Sequence, residues 1–212
     1  MSPIEAIPES GLYFPNTIAR IFMVSMEEVL GKNGLNTVLN QAGQSVYIDN
    51  YPPDDAEKEF DYSYFSSIAA AMDNVYGSKG AKLMAMRSGN AVFNQIINRI
   101  GAPVDINDSS FKSRPLTEKI TTGLIIIRDM FSNEKEEPFV VLESGHFLYS
   151  VHYCPACWGR VTKEPSCYLI TSILQASLRW VTGGLEFNIL QTKAHSCGDE
   201  TCNFEIPPEP VK

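Results

Sequence analysis

The sequence predicts an α+β fold, with N-terminal helices packed on a small antiparallel sheet. Three observations carry that expectation. Apolar residues recur at helical spacing from Thr17 to Phe131, the pattern changes after Pro138 to short β-branched and aromatic runs, and one more helical run lies between those runs. At 212 residues, 44% hydrophobic and 20% charged, the chain has the composition of a globular protein and length enough for one core. It is therefore read as a single domain over 1–212, with a mainly helical part at 1–137, a strand-rich part at 138–206 and a frayed tail at 207–212.

Between Thr17 and Leu30 the residues Ile18, Ile21, Phe22, Met26, Val29 and Leu30 make an amphipathic helix, opened by Asn16 and closed by Gly31. A shorter run at Leu35, Val38, Leu39 and Ala42 follows. Residues 49–59, carrying Pro52-Pro53-Asp54-Asp55, read as a loop because proline cannot continue a ladder. Helical spacing returns from Phe65 to Val75 before Gly77, and from Lys82 to Ile100 before Gly101, with Gly77-Ser78-Lys79-Gly80 as the turn between. Leu116 to Phe131 is taken as a helix on its length, although Ile125-Ile126-Ile127 alone suits a strand.

Phe139 to Leu142 and His146 to Tyr153 read as two strands joined by a turn at Glu143-Ser144-Gly145. A helix from Pro165 to Val181 follows, with proline in the first turn and Gly183-Gly184 at the end. Leu185 to Thr192 then reads as a strand, with Asn203 to Ile206 as its hairpin partner.

A formal net charge of -8, without any cluster of Lys and Arg, argues against a nucleic-acid binder and against a polybasic membrane patch. No apolar stretch approaches the roughly 18 residues of a spanning helix. The N-terminus, Met1-Ser2-Pro3-Ile4-Glu5, shows no secretory pattern, so the expectation is a cytoplasmic protein.

All five cysteines lie between 154 and 202, which makes them candidates for one site. Cys154-Pro155-Ala156-Cys157 is a C-x-x-C pair after a strand, Cys167 opens a helix, and Cys197 and Cys202 flank a strand turn. Such thiolates suit a tetrahedral metal such as zinc, with an iron-sulfur cluster, a redox pair and inert packed thiols as the alternatives. Two histidine candidates sit nearby: His195, two residues before Cys197, and His146, which could act with Glu143. Aromatics crowd the same segment, and Tyr149, Trp158, Tyr168 and Trp180 are the candidates for the wall of an apolar small-molecule pocket, against the alternative of plain core.

From Pro138 to Ile206 the sequence resembles the 4-vinyl reductase domain family, whose fold is related to small subunits of vesicle-tethering TRAPP complexes. The resembling pieces are Cys154-Pro155-Ala156-Cys157, Glu164-Pro165-Ser166-Cys167-Tyr168 and Gly198-Asp199-Glu200-Thr201-Cys202-Asn203-Phe204-Glu205. The resemblance implies a ligand-binding module, often dimeric, with Cys167 and Cys202 on metal positions. A third such position falls on Ala194, leaving Cys197, His195 and the Cys154/Cys157 pair to complete the set.

Three functions follow from the resemblance and the residues together. The first is a binding protein that holds a tetrapyrrole or other apolar pigment intermediate, forms a homodimer through its N-terminal helices, and serves pigment supply or photosystem assembly, either in the cytoplasm or at the edge of a photosynthetic membrane. The second is a vinyl reductase of chlorophyll biosynthesis. Against an enzyme stands the absence of a G-x-G-x-x-G after a strand and of a P-loop, either of which would seat a nucleotide donor. The third is a non-catalytic dimeric interaction subunit.

Overall fold

Two glycines set the plan of the helical layer. In this computed structural model, which describes residues 6–132, 139–143 and 146–211, helix α1 (Asn16–Gln41) and helix α2 (Tyr62–Ile100) each run past an expected end and resume beyond it. Gly31 (φ 70°, ψ 161°) and Gly77 (φ 66°, ψ 163°) adopt the same non-helical conformation, so each helix is two segments joined at a kink. The helical runs read on either side of Gly31 and Gly77 are the segments of these two helices, and the turn expected over four residues contracts to Gly77. Asn16 does not cap α1: the cap position is Pro15, and the Asn16 amide donates to Asp55 and Glu59, at 2.9 Å each.

The buried faces of α1 and α2 meet. Ile21, Met23, Met26, Leu35 and Leu39 of α1 and Ile68, Phe93 and Ile96 of α2 are fully inside. Phe22 stacks on Phe65 at 4.4 Å between ring centroids, an arrangement that adds ring attraction to area burial.

A two-stranded ribbon ties the start of the chain to α2. Strands β1 (Tyr13–Pro15) and β2 (Lys58–Asp61) pair antiparallel and are too short for any alternation to reveal them in sequence. Asp61 caps α2 by accepting from Ser63 N at 2.7 Å, and it also accepts from Gly11 N and the Ser10 hydroxyl, both at 2.9 Å. Burial pushes this carboxyl up, but the hydrogen bonds from Ser63 and Ser10 outweigh burial and hold it below its ordinary value.

Helix α3 (Ser109–Lys112) is a single turn, and helix α4 (Leu116–Phe131) spans the residues expected for it. Helix α5 (Tyr168–Thr182) packs on α2 and α4. The approach is close: a Cβ on Gly123 of α4 would come within 2.9 Å of Val181, and Ser177 Oγ donates to Gly123 O at 2.8 Å.

The sheet has strands β3 (Phe139–Glu143), β4 (His146–Val151), β5 (Leu190–Lys193) and β6 (Cys202–Ile206) in the order β3-β4-β6-β5, with every neighbouring pair antiparallel. Most of the expected turn at Glu143-Ser144-Gly145 lies outside the described residues. Two boundaries differ from expectation. Helix α5 begins at Tyr168 and leaves Pro165 outside its first turn, because Cys167 sits at the cap with ψ 50°. Strand β5 begins at Leu190, since Glu186 O is taken by Val211 N at 2.7 Å and Phe187 O by the Gln175 amide at 3.4 Å. The first of these contacts also ties down part of the expected frayed tail. Among the described residues no helix is long and apolar enough to cross a membrane.

Candidate functional site

Strand β4 ends at Val151, and residues 152–167 reach α5 without regular secondary structure. Their course is set by a knuckle: Cys157 N and Trp158 N both donate to Cys154 O at 3.1 Å, and Arg160 N donates to Cys157 O at 3.0 Å. Converging amides of this kind turn the chain so that the two thiols of a C-x-x-C face the same point. Cys167 arrives from the start of α5, where its amide donates to the Gln191 side chain of β5 at 2.9 Å. Cys202 arrives from β6, where it stands opposite Val151 in the ladder.

The ligand atoms of Cys154, Cys157, Cys167 and Cys202 all lie within 4.8 Å of one another, and all four residues are buried. Cys157 is the hub, 2.9 Å from Cys167 and 3.5 Å from both Cys202 and Ser196 Oγ. Hydrogen bonds from Cys154, Cys167 and Cys202 lower the pKa of Cys157 strongly. Hydrogen bonding to Cys157 correspondingly raises that of Cys154.

The surrounding polar groups hold this geometry. Ser196 O accepts from Thr162 N at 2.8 Å, and its hydroxyl lies 2.7 Å from Thr162 Oγ1, which joins the 194–198 turn to the thiol loop. Asp199 accepts from Ala194 N at 2.9 Å and closes that turn. Arg160, with its side chain only 6% exposed, pairs with Asp73 of α2 at 2.7 Å and donates to Ala156 O at 2.7 Å. Ser66 Oγ of α2 donates to Trp158 O at 2.5 Å, and Trp158 Nε1 donates to Pro8 O at 2.8 Å, so α2 and the N-terminal segment clasp the loop.

Of the residues singled out from sequence, Cys197 is exposed and outside the cluster, its Sγ 3.5 Å from Thr162 Oγ1. His195 and His146 are also exposed. The four aromatic candidates are dispersed. Tyr149 lines a cavity of about 30 Å³ with Phe14, Tyr62 and Ile127, and Tyr168 lines a different one of about 40 Å³. Trp158 is held by Pro8 at the N-terminal clasp, and Trp180 sets its edge against Phe93 at 6.1 Å. They separate because Tyr149 meets Leu169, Ile170 and Ile173 of α5 across the smaller cavity, whereas Tyr168 and Trp180 lie on the parts of α5 turned toward α2. Ser196, Gln191, Arg160 and Asp73 escaped sequence reading, since nothing in their spacing signals a role beside the thiols.

No family model and no curated protein matches the chain. Solved structures do match over almost its whole length. An oxygen-binding H-NOX domain related to soluble guanylate cyclases, in its oxygen complex, covers 94% of this chain and 97% of its own at 13% identity and a TM-score of 0.54. An H-NOX protein from S. oneidensis in the Fe(II)NO state covers 91% and 98% at 14% identity with a TM-score of 0.53. A mutant H-NOX protein from K. algicida covers 94% and 97% at 12% identity with a TM-score of 0.56. The chain has the fold of an H-NOX domain.

At these identities the likeness speaks for fold alone, but it corrects several expectations. The resemblance to the 4-vinyl reductase family is not upheld: no family model matches, and the structural neighbours are H-NOX domains. Pigment or tetrapyrrole supply, vinyl reduction, photosystem assembly and association with a photosynthetic membrane rested on that resemblance and fall with it. Zinc and the iron-sulfur cluster are also set aside as cofactors, because the neighbours are described by haem or by iron ligation states, and four thiols brought together do not name their metal.

Proposed function

We propose that this chain is a metal-binding domain in which Cys154, Cys157, Cys167 and Cys202 together hold one thiophilic cation. The observation that carries the reading is the convergence of these four buried thiols from three elements within 4.8 Å. Sulfurs held tetrahedrally at about 2.3 Å from one ion lie roughly 3.8 Å apart, and Cys154 to Cys167 at 3.6 Å and Cys157 to Cys202 at 3.5 Å are close to that spacing. A thiol-exchange pair must be reachable by its partner, and Cys154 and Cys157 are 2% and 0% exposed. A cation shared by the four sulfurs would cross-link the knuckle, the start of α5 and β6. It would thereby fix a segment that has no hydrogen-bonded ladder of its own.

Haem, named in the descriptions of two structural neighbours, does not fit the arrangement this chain adopts. Cofactor pockets run to roughly 300–1,000 Å³ and are mostly apolar and enclosed; the two inner cavities measure about 40 and 30 Å³, and the larger spaces, about 340 Å³ on the sheet and about 350 Å³ beside Ile97 and Trp180, are clefts at the surface. All three histidines are exposed; none lines either inner cavity, and His146 borders the cleft on the sheet beside the polar and charged side chains of Thr192, Lys193, Asn203 and Glu205.

The test is metal content and spectroscopy on protein purified without oxygen. One equivalent of a thiophilic metal is expected. Replacement by Co(II) should give thiolate charge-transfer absorption that saturates at one equivalent, is lost in Cys202→Ser and persists in Cys197→Ser. Metal below about a tenth of an equivalent, together with no such absorption on Co(II) addition, would refute the reading.

A further inference from the structure

Next to the thiol loop, the cavity that Tyr168 lines lies between α1, both segments of α2 and residues 156–169. Its inner walls are apolar, with Phe22, Phe65 and Met72 among them. Ser88 and Ser166 also line it, and both hydroxyls are buried without a hydrogen-bond partner. Ser88 is 0% exposed. A buried hydroxyl left unpaired is costly, so polar atoms of this kind facing a cavity point to something that fills it. The charged groups on the wall, Asp73 and Arg160, neutralise each other at 2.7 Å, which leaves no net field for an ion.

We propose that this cavity binds a small uncharged molecule, with a hydroxyl or amide end taken by Ser88 and Ser166 and a compact hydrocarbon body set against Phe22, Phe65 and Met72. A volume of about 40 Å³ sets the size. One water needs roughly 10–15 Å³ on the same measure, so the ligand has about three or four non-hydrogen atoms. Water alone suits the space poorly, because each molecule wants two to four polar partners and one side of the cavity offers only aromatic rings, thioethers and aliphatic groups. The reading stands apart from the metal: Cys167 lines the cavity with its neighbours, yet neither serine belongs to the thiol cluster.

The test titrates propan-2-ol and acetamide into the metal-replete protein, with xenon as an apolar probe, and follows amide NMR shifts at Ser88, Ser166 and Tyr168. A ligand of four atoms can bind no tighter than roughly tens of micromolar, so the titration runs to about 100 mM. The expected result is a saturable shift with propan-2-ol or acetamide, weakened about fivefold in Ser88→Ala and abolished in Ala85→Leu, which fills the cavity and keeps both hydroxyls. Ser166→Ala gives the same readout should Ser88→Ala fail to fold. Shifts with xenon alone would make the space a plain apolar void and overturn the proposal. No saturable shift with any probe would make it a water site, with the same consequence. Binding that is unchanged in both serine variants would equally overturn it, since the hydroxyls would then play no part.

Discussion

The α1–α2 pair and the segment from residue 152 to 167 lie side by side and are held by opposite means. The helices bury continuous apolar faces, satisfy their backbone groups internally and would keep their shape if any single contact were removed. The thiol segment has no ladder, and its backbone is fixed by the knuckle at Cys154, by clasps from Ser66, Pro8 and Arg160, and by four converging sulfurs. Stability in the first region is spread over many side chains. In the second it is concentrated in a few, so the two should respond differently to small chemical changes.

The sharpest contrast is expected at the hub. Cys157→Ser, or chelation of the metal, should cost about 4 kcal/mol or more, the linkage free energy of a ligand present at a thousand times its Kd. The melting temperature of the wild type should then depend on free metal concentration, and that of the variant should not; calorimetry with and without chelator reads both. Ile96→Ala, deep in the helical layer and 0% exposed, should cost about 3 kcal/mol by transfer and cavity terms, with the metal dependence intact. If it also abolished metal binding, the two regions would not be separable.

Asp61→Ala should cost about 2 kcal/mol, since it removes the α2 cap and the anchor of Ser10 and Gly11. Because the folded-state pKa lies below the ordinary value of about 3.9, the carboxylate contributes fully above that value. Its contribution fades as pH falls through the lower folded value. Denaturant midpoints of wild type and variant should therefore converge in acid; a gap that stays constant from neutral pH into strong acid would dismiss the role. Trp158→Phe keeps an aromatic ring but loses the N–H that donates to Pro8 O together with the five-membered ring, so about 1–2 kcal/mol is expected. Faster proteolysis near the N-terminus in that variant would show that the clasp has loosened.

The same contrast explains what could be read in the sequence. Helices α1, α2 and α4 were legible because burial repeats at their period, as in Phe65, Ile68, Met72 and then Phe93, Ile96. The kinks were legible as glycines, though not as bends within continuing helices, since spacing does not show whether a chain turns back after a break. The cysteines announced themselves by clustering, but spacing could not choose among the five. Gly198-Asp199 folds Cys197 outward and aims Cys202 inward, a result of the turn that Asp199 closes on Ala194. Strands β1 and β2 and the late start of β5 depended on partners distant in sequence, such as Glu186 with Val211. The four aromatics do not share one wall, because close approach of α5 at Gly89 and Gly123, where an added Cβ would meet Leu169 O at 2.5 Å and Val181 at 2.9 Å, carries Tyr168 and Trp180 toward α2.

Gly31 and Gly77 bear on which substitutions the chain can accept. An added Cβ would meet nothing within 4 Å at either position, so crowding by neighbours imposes no restriction. The local backbone does: positive φ combined with ψ of 161° and 163° belongs to a region open to glycine and hardly any other residue. Gly183, at φ 75° and ψ 31°, sits instead in the left-handed helical region, which asparagine and aspartate also enter. In a library of all side chains, position 183 should admit those two, whereas positions 31 and 77 should return to glycine despite the open space around them. Two small exposed-looking sites in the helical layer would then be among the least variable in the molecule.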